Sequence, residues 1–209
     1  KTFPKTDKNF KFKKQLHGNT PFIFKANVCY KYQTKGVSEI CVLENVIDIA
    51  DDAICDPSEA KTIFSSASPL QVASFKQSVA GSDKIQFSFD VVHSGSGDVF
   101  DPSGEDGVAG NDDDVYCPTS SKDRRAKGNK VSVKVSTGIT TGTLKCSGAS
   151  SPTTGEVGFL VTMANGRRTV TCTQDITGSA DFVNPVNIIL GFNYLDSIQK
   201  EVLIKHLVG

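Results

Sequence analysis

Lys84-Ile85-Gln86-Phe87-Ser88-Phe89-Asp90-Val91 decides the fold. Its apolar residues fall on every second position, so in an extended chain Ile85, Phe87, Phe89 and Val91 share one face and Gln86, Ser88 and Asp90 the other. An antiparallel strand with one side in a core and the other in water requires that pattern. Working backwards, Gly81-Ser82-Asp83 is a turn and residues 70–79 read as the partner strand. Working forwards, short apolar runs recur at residues 131–136, 143–146, 157–163, 168–174, 186–192 and 197–204. Turn residues separate most of them: Ser94-Gly95-Ser96-Gly97, Ala164-Asn165-Gly166 and Asn193-Tyr194. Asn165-Gly166 suits a tight hairpin turn, since both residues tolerate the left-handed region. There are no heptads, no clean repeat and no long amphipathic helical period. Short strands with such turns predict an all-β, antiparallel sandwich of low helix content.

The N-terminal third is organised differently. Residues 21–32 and 37–43 are strand-like runs flanking Gln33-Thr34-Lys35-Gly36, read as a hairpin with glycine in the loop. That places Cys29 opposite Cys41. The expected organisation is an extended basic arm over residues 1–21, then a sandwich domain over 22–209. In that domain a cysteine hairpin (22–60) packs on the remaining core (61–209). Within the arm, Asn9-Phe10-Lys11-Phe12-Lys13 alternates, so an extended arm presents Phe10 and Phe12 on one side.

With 23 Lys plus Arg against 23 Asp plus Glu, the chain of 209 residues carries no formal net charge, and 38% of it is hydrophobic. A duplex-DNA binder would carry a basic excess and a disordered chain would be less apolar, so neither is expected. The neutral sum conceals segregation. Residues 1–25 hold seven lysines and one acid, and residues 36–60 hold seven acids and no base. Residues 91–116 again hold seven acids and no base, before Lys122, Arg124, Arg125, Lys127, Lys130 and Lys134. Such blocks meet either within one molecule or between molecules.

The six cysteines, Cys29, Cys41, Cys55, Cys117, Cys146 and Cys172, include no Cys-x-x-Cys pair and no neighbouring His at ligand spacing. Disulfides in an oxidising compartment are therefore expected, with Cys29 to Cys41 favoured by the hairpin reading. The remaining pairing, guessed as Cys146 with Cys172 and Cys55 with Cys117, is not fixed by spacing. The first residue is Lys1 and no apolar run suffices for a membrane span, so the expectation is a secreted chain whose signal sequence has been removed.

Residues 84–102, with His93-Ser94-Gly95-Ser96-Gly97 at the turn, resemble the strand, glycine-rich turn and strand of cell-adhesion-related immunoglobulin-like (CARDB-like) domains of prokaryotic surface proteins. A further likeness is to small cysteine-bearing extracellular proteins of this kind in archaea with reduced genomes. It rests on Cys29-Tyr30-Lys31-Tyr32-Gln33-Thr34 with Cys41, on Asn165-Gly166 followed by Cys172, and on the runs at 186–194 and 196–204. The resemblance covers about residues 27 to 206. It implies an immunoglobulin-like sandwich on the outside of a cell and brings no catalytic residues.

His17, His93 and His206 are scattered, and neither a Gly-x-Ser-x-Gly nucleophile turn nor a phosphate loop is present, so no enzyme is expected. No organic cofactor is implied. Asp98, Asp101, Asp106, Asp112, Asp113 and Asp114 form a secondary candidate set for Ca²⁺, which takes six to eight oxygen ligands. Nucleic acid is a minor alternative partner for the lysines of the arm, opposed by the acidic blocks. The favoured expectation is a structural, self-assembling extracellular protein, a filament or sheath subunit whose arm adds a strand to the next copy. Phe3, Phe10, Phe12 and Leu16 would anchor that arm, with Lys11 and Lys13 meeting acidic blocks. The competing expectation is a monomeric adhesion module for a cell-surface carbohydrate or protein.

Overall fold

The computed structural model describes residues 18–44, 53–103, 115–176 and 180–205. Among them the chain order is β1 (Thr20–Val42), β2 (Phe64–Ser65), β3 (Leu70–Gly81), β4 (Lys84–His93), β5 (Asp98–Phe100), α1 (Ser121–Lys127), β6 (Lys130–Ser136), β7 (Leu144–Cys146), β8 (Glu156–Thr162), β9 (Arg167–Asp175) and β10 (Phe182–Ile204). The chain divides into two units, residues 1–27 with 197–209, and residues 28–196.

The larger unit is an all-β sandwich of two antiparallel sheets. One runs β2-β1-β10-β6-β8, with β5 also pairing β10, and the other runs β3-β4-β9-β7. The alternation in β4 does what the sequence predicts: Ile85, Phe87, Phe89 and Val91 are fully buried. They join one core with Val131, Val133 and Val135 of β6 and Val186, Ile188, Leu190 and Phe192 of β10. Phe75 of β3 stacks on Phe87 at 5.6 Å between ring centres. Each such phenylalanine contributes about 1.5–3 kcal/mol by leaving water. Asp90, expected on a solvated face, is instead buried and bonded to Arg167 and to Thr169 Oγ1. The cause is position: β4 lies between β3 and β9, so side chains of β9 cover its outer face.

Two expected turns do not form. β1 runs straight through Gln33-Thr34-Lys35-Gly36. Thr34 is buried and its hydroxyl bonds Ser68 Oγ at 2.6 Å and the Leu70 carbonyl at 2.8 Å. Gly36 serves close approach rather than a turn, since a Cβ there would lie 2.9 Å from Val72 Cγ2. There is thus no cysteine hairpin at 22–60; β1 is an internal strand of the first sheet. Likewise the runs at 186–192 and 197–204 fuse into β10. Asn193 Nδ2 donates to the Asp101 and Tyr116 carbonyls, and the Tyr194 hydroxyl accepts from the Gly97 N–H, so both side chains engage neighbouring backbone instead of turning the chain.

Asn165 and Gly166 do form a tight turn, with φ of 51° and 73°. The strands on either side of it, β8 and β9, belong to different sheets, so the turn carries the chain across the sandwich. The helix α1 lies in a stretch with no helical period. Its start is nevertheless written in Ser120-Ser121-Lys122-Asp123, where the Ser120 side chain accepts from the Asp123 N–H.

Unbroken β1 also decides the disulfides. Cys29 and Cys41 stand twelve residues apart on one strand, about 40 Å at ~3.3 Å per residue, and cannot be bridged. The expected pairs Cys29–Cys41 and Cys55–Cys117 are replaced by Cys29–Cys117 and Cys41–Cys55. Cys146–Cys172 forms as expected, between directly opposed residues of β7 and β9.

Candidate functional site

The arm residues Phe3, Phe10, Lys11, Phe12, Lys13 and Leu16 lie outside the described residues, as do Asp106, Asp112, Asp113 and Asp114. Of the carboxylates considered for Ca²⁺, Asp98 pairs with Arg124 at 2.7 Å and Asp101 accepts from the Ser103 N–H and hydroxyl. The acidic block at 91–116 and the basic block after it therefore meet at least once within the molecule. Among the described residues no three His, Cys, Asp or Glu side chains are grouped to hold a metal. His93 is half-buried in the sandwich and its ring meets the edge of Tyr194. Burial pushes its pKa down, against the opposing pull of Asp98.

The features of the sandwich that bear on function are its edges. An unpaired strand edge is a template for another strand unless it is covered. β3 is an edge strand with its register broken between Ala73 and Lys76, where Ser74 adopts φ 55°. β7 has three residues and β2 only two. Because β2 is so short, β1 is covered there in pieces. Residues Gly36 and Val37 pair with β2, and Lys35 exchanges bonds with Ser66. At Cys41 a side chain substitutes for a strand: Gln77 accepts from the Cys41 N–H at 2.8 Å and donates to its carbonyl at 2.6 Å.

Between these two covers lies a groove of about 340 Å³. Val37 and Glu39 project from the outer face of β1, opposite the buried positions 36, 38 and 40. Glu59, Ala60, Lys61 and Phe64 form the other wall, and the Ser38 hydroxyl donates across it to the Thr62 carbonyl. Phe64 is 72% exposed although it sits opposite Val37 in the pairing. The Cys41–Cys55 disulfide ties one end of this wall and the β1–β2 pairing ties the other. Glu59 holds Lys61 at 3.6 Å, leaving Glu39 as the acid not paired to that lysine.

The smaller unit brings together Thr20 to Asn27 of β1 and Ser197 to Ile204 of β10, with the Ser197 hydroxyl bonding Asn27 Oδ1 at 2.8 Å. Its apolar side chains are in water: Ile23 is 70% exposed, Phe24 55%, Ile198 69% and Leu203 52%. As sequence, these runs read as ordinary core strands. The signal against that reading is local, because Phe22-Ile23-Phe24 and Val202-Leu203-Ile204 do not alternate and so place apolar groups on both faces.

Fold and cross-links together define the class: an antiparallel β-sandwich stapled by three disulfides, with no helix among the described residues long and apolar enough to cross a membrane. No family model, curated protein or solved structure matches the chain.

Proposed function

We propose that this is a non-enzymatic structural protein of the cell exterior that assembles with copies of itself through its N-terminal arm and the ribbon that follows it. The observation that carries this reading is the exposure of Ile23, Phe24, Ile198 and Leu203 on a two-stranded ribbon. A ribbon of two strands is marginal in water on its own, and large apolar side chains left in water on both of its faces offer surface for association. The arm adds Phe3, Phe10, Phe12 and Leu16 directly before it. At about 1.5–3 kcal/mol for each buried side chain, these give a junction worth several kcal/mol. Three disulfides support an oxidising compartment. A head-to-tail contact whose rotation does not close into a ring propagates into a filament.

Sedimentation and negative-stain imaging of the full chain test this. The expected result is concentration-dependent association that persists at high salt, since apolar burial rather than exposed ion pairs supplies the energy. Phe10→Asp with Phe12→Asp reduces association while leaving the circular-dichroism melt of the sandwich unchanged. An intact chain that stays monomeric at every concentration refutes the reading and leaves the adhesion module.

A further inference from the structure

We propose that the groove beside β2 is the receiving site for Phe10-Lys11-Phe12-Lys13 of a second copy. This rests on the self-assembly reading and adds where the arm docks. The groove offers what that segment lacks. Val37, Ala60 and the exposed Phe64 provide an apolar floor, and Glu39 and Glu59 provide acid, offset in part by Lys61. An extended Phe-Lys-Phe-Lys segment places both rings on one side. Its lysine stems are long enough to lie over apolar surface while their ammonium groups reach rim carboxylates.

Charge complementarity selects this occupant. The arm segment carries Lys11 and Lys13, and the groove lining carries Glu39 and Glu59 against the single base Lys61, which leaves it acidic by one charge. The size fits one or two aromatic anchors rather than a domain, being at the small end of the ~300–1,000 Å³ typical of binding pockets. The wall is also fixed in advance, by the Cys41–Cys55 disulfide on one side and the β2 pairing on the other, so little ordering remains to be done on docking.

Carbodiimide cross-linking of a one-to-one mixture of light and ¹⁵N-labelled full chain tests the assignment, read by mass spectrometry. The expected products join Lys11 or Lys13 to Glu39 or Glu59 in mixed light–heavy pairs. Glu39→Lys with Glu59→Lys should weaken binding of a synthetic peptide of residues 1–17 to the full chain at least tenfold. The same peptide carrying Lys11→Glu and Lys13→Glu should recover most of that loss on the reversed groove. Phe64→Ser, checked for an unchanged melt, provides a second variant and should weaken the peptide comparably. Cross-links found only within single-isotope molecules overturn the assignment to a second copy. Equal peptide affinity for wild type and both groove variants overturns the groove, even where copies still associate. Failure of the copies to associate at all refutes instead the reading on which the inference rests.

Discussion

Replacing Gln77 by leucine keeps the volume of a buried side chain and removes the amide that stands in for a strand at Cys41. Two hydrogen bonds of 2.8 and 2.6 Å are lost, and the Cys41 N–H and carbonyl stay in a position where Cys41 has no exposed surface. Each bond contributes about 0.5–1.5 kcal/mol net, and each buried group left unpaired costs about 1–3 kcal/mol. Because Gln77 comes from the facing sheet's edge strand, no backbone shift of β1 alone restores both bonds. A loss of about 3 kcal/mol is expected, or about 6–12 °C in melting temperature at ~2–4 °C per kcal/mol for a chain of this size. Urea and thermal unfolding of the oxidised protein, followed by circular dichroism, measure it. Gln77→Glu sharpens the test. The protonated carboxyl of that variant can both accept from the N–H and donate to the carbonyl, whereas the carboxylate cannot donate, so its folded pKa is raised. Its contribution is therefore full below the unfolded value of about 4.3 and lost as pH rises through the folded one. Gln77→Leu within about 1 kcal/mol of wild type, or Gln77→Glu showing no gain on acidification relative to wild type, refutes the reasoning.

The disulfides should be unequal. Removing Cys29–Cys117, which closes 88 residues, should cost about 1.5 kcal/mol more than removing Cys41–Cys55, which closes 14, by the logarithmic dependence of loop entropy; paired alanine variants in urea check the order, and equal losses would contradict it. Acid should also unfold the sandwich through two carboxylates. Burial works to raise Asp90, but hydrogen bonds from Arg167 and Thr169 outweigh it, and Asp175 is lowered by Thr143 and Lys84. With folded pKa values depressed, both contribute stability that is fully present above about pH 4 and lost as pH falls through the folded values. The melting temperature of Asp90→Asn should therefore fall less steeply below that pH, and an unaltered slope would remove Asp90 from the account.

What sequence could reveal here follows from how local each signal is. Strand β4 is legible because alternation of Ile85, Phe87, Phe89 and Val91 is a local property, and so is the tight turn at Asn165-Gly166. That this turn leads from one sheet to the other is not legible, since sheet membership depends on partners far along the chain. The misreading at Gly36 has the same root. A glycine beside Thr34 and Lys35 looks like a loop, but its use is to admit Val72 from the facing sheet, which only packing discloses. From that one error came the wrong partner for Cys29. Asp90 looks solvated because alternation describes faces and not neighbours. For the candidate surface, the charge segregation is visible, but the groove needs Cys41–Cys55 and the two-residue β2 to bring residues 59–64 against Val37 and Glu39. Gln77 as a substitute strand carries no sequence mark at all.

β1 begins at Thr20, at the end of the arm, and two residues that line the groove, Val37 and Glu39, lie on the same strand. If copies join arm to groove as proposed, tension entering a subunit at its N-terminal side would reach the next junction along one covalent backbone. Residues 28–42 of β1 would carry that load, held extended by the sheet they belong to. Such a cable would fail at the junctions, by release of an arm, well before any subunit unfolded, and it could re-form without refolding.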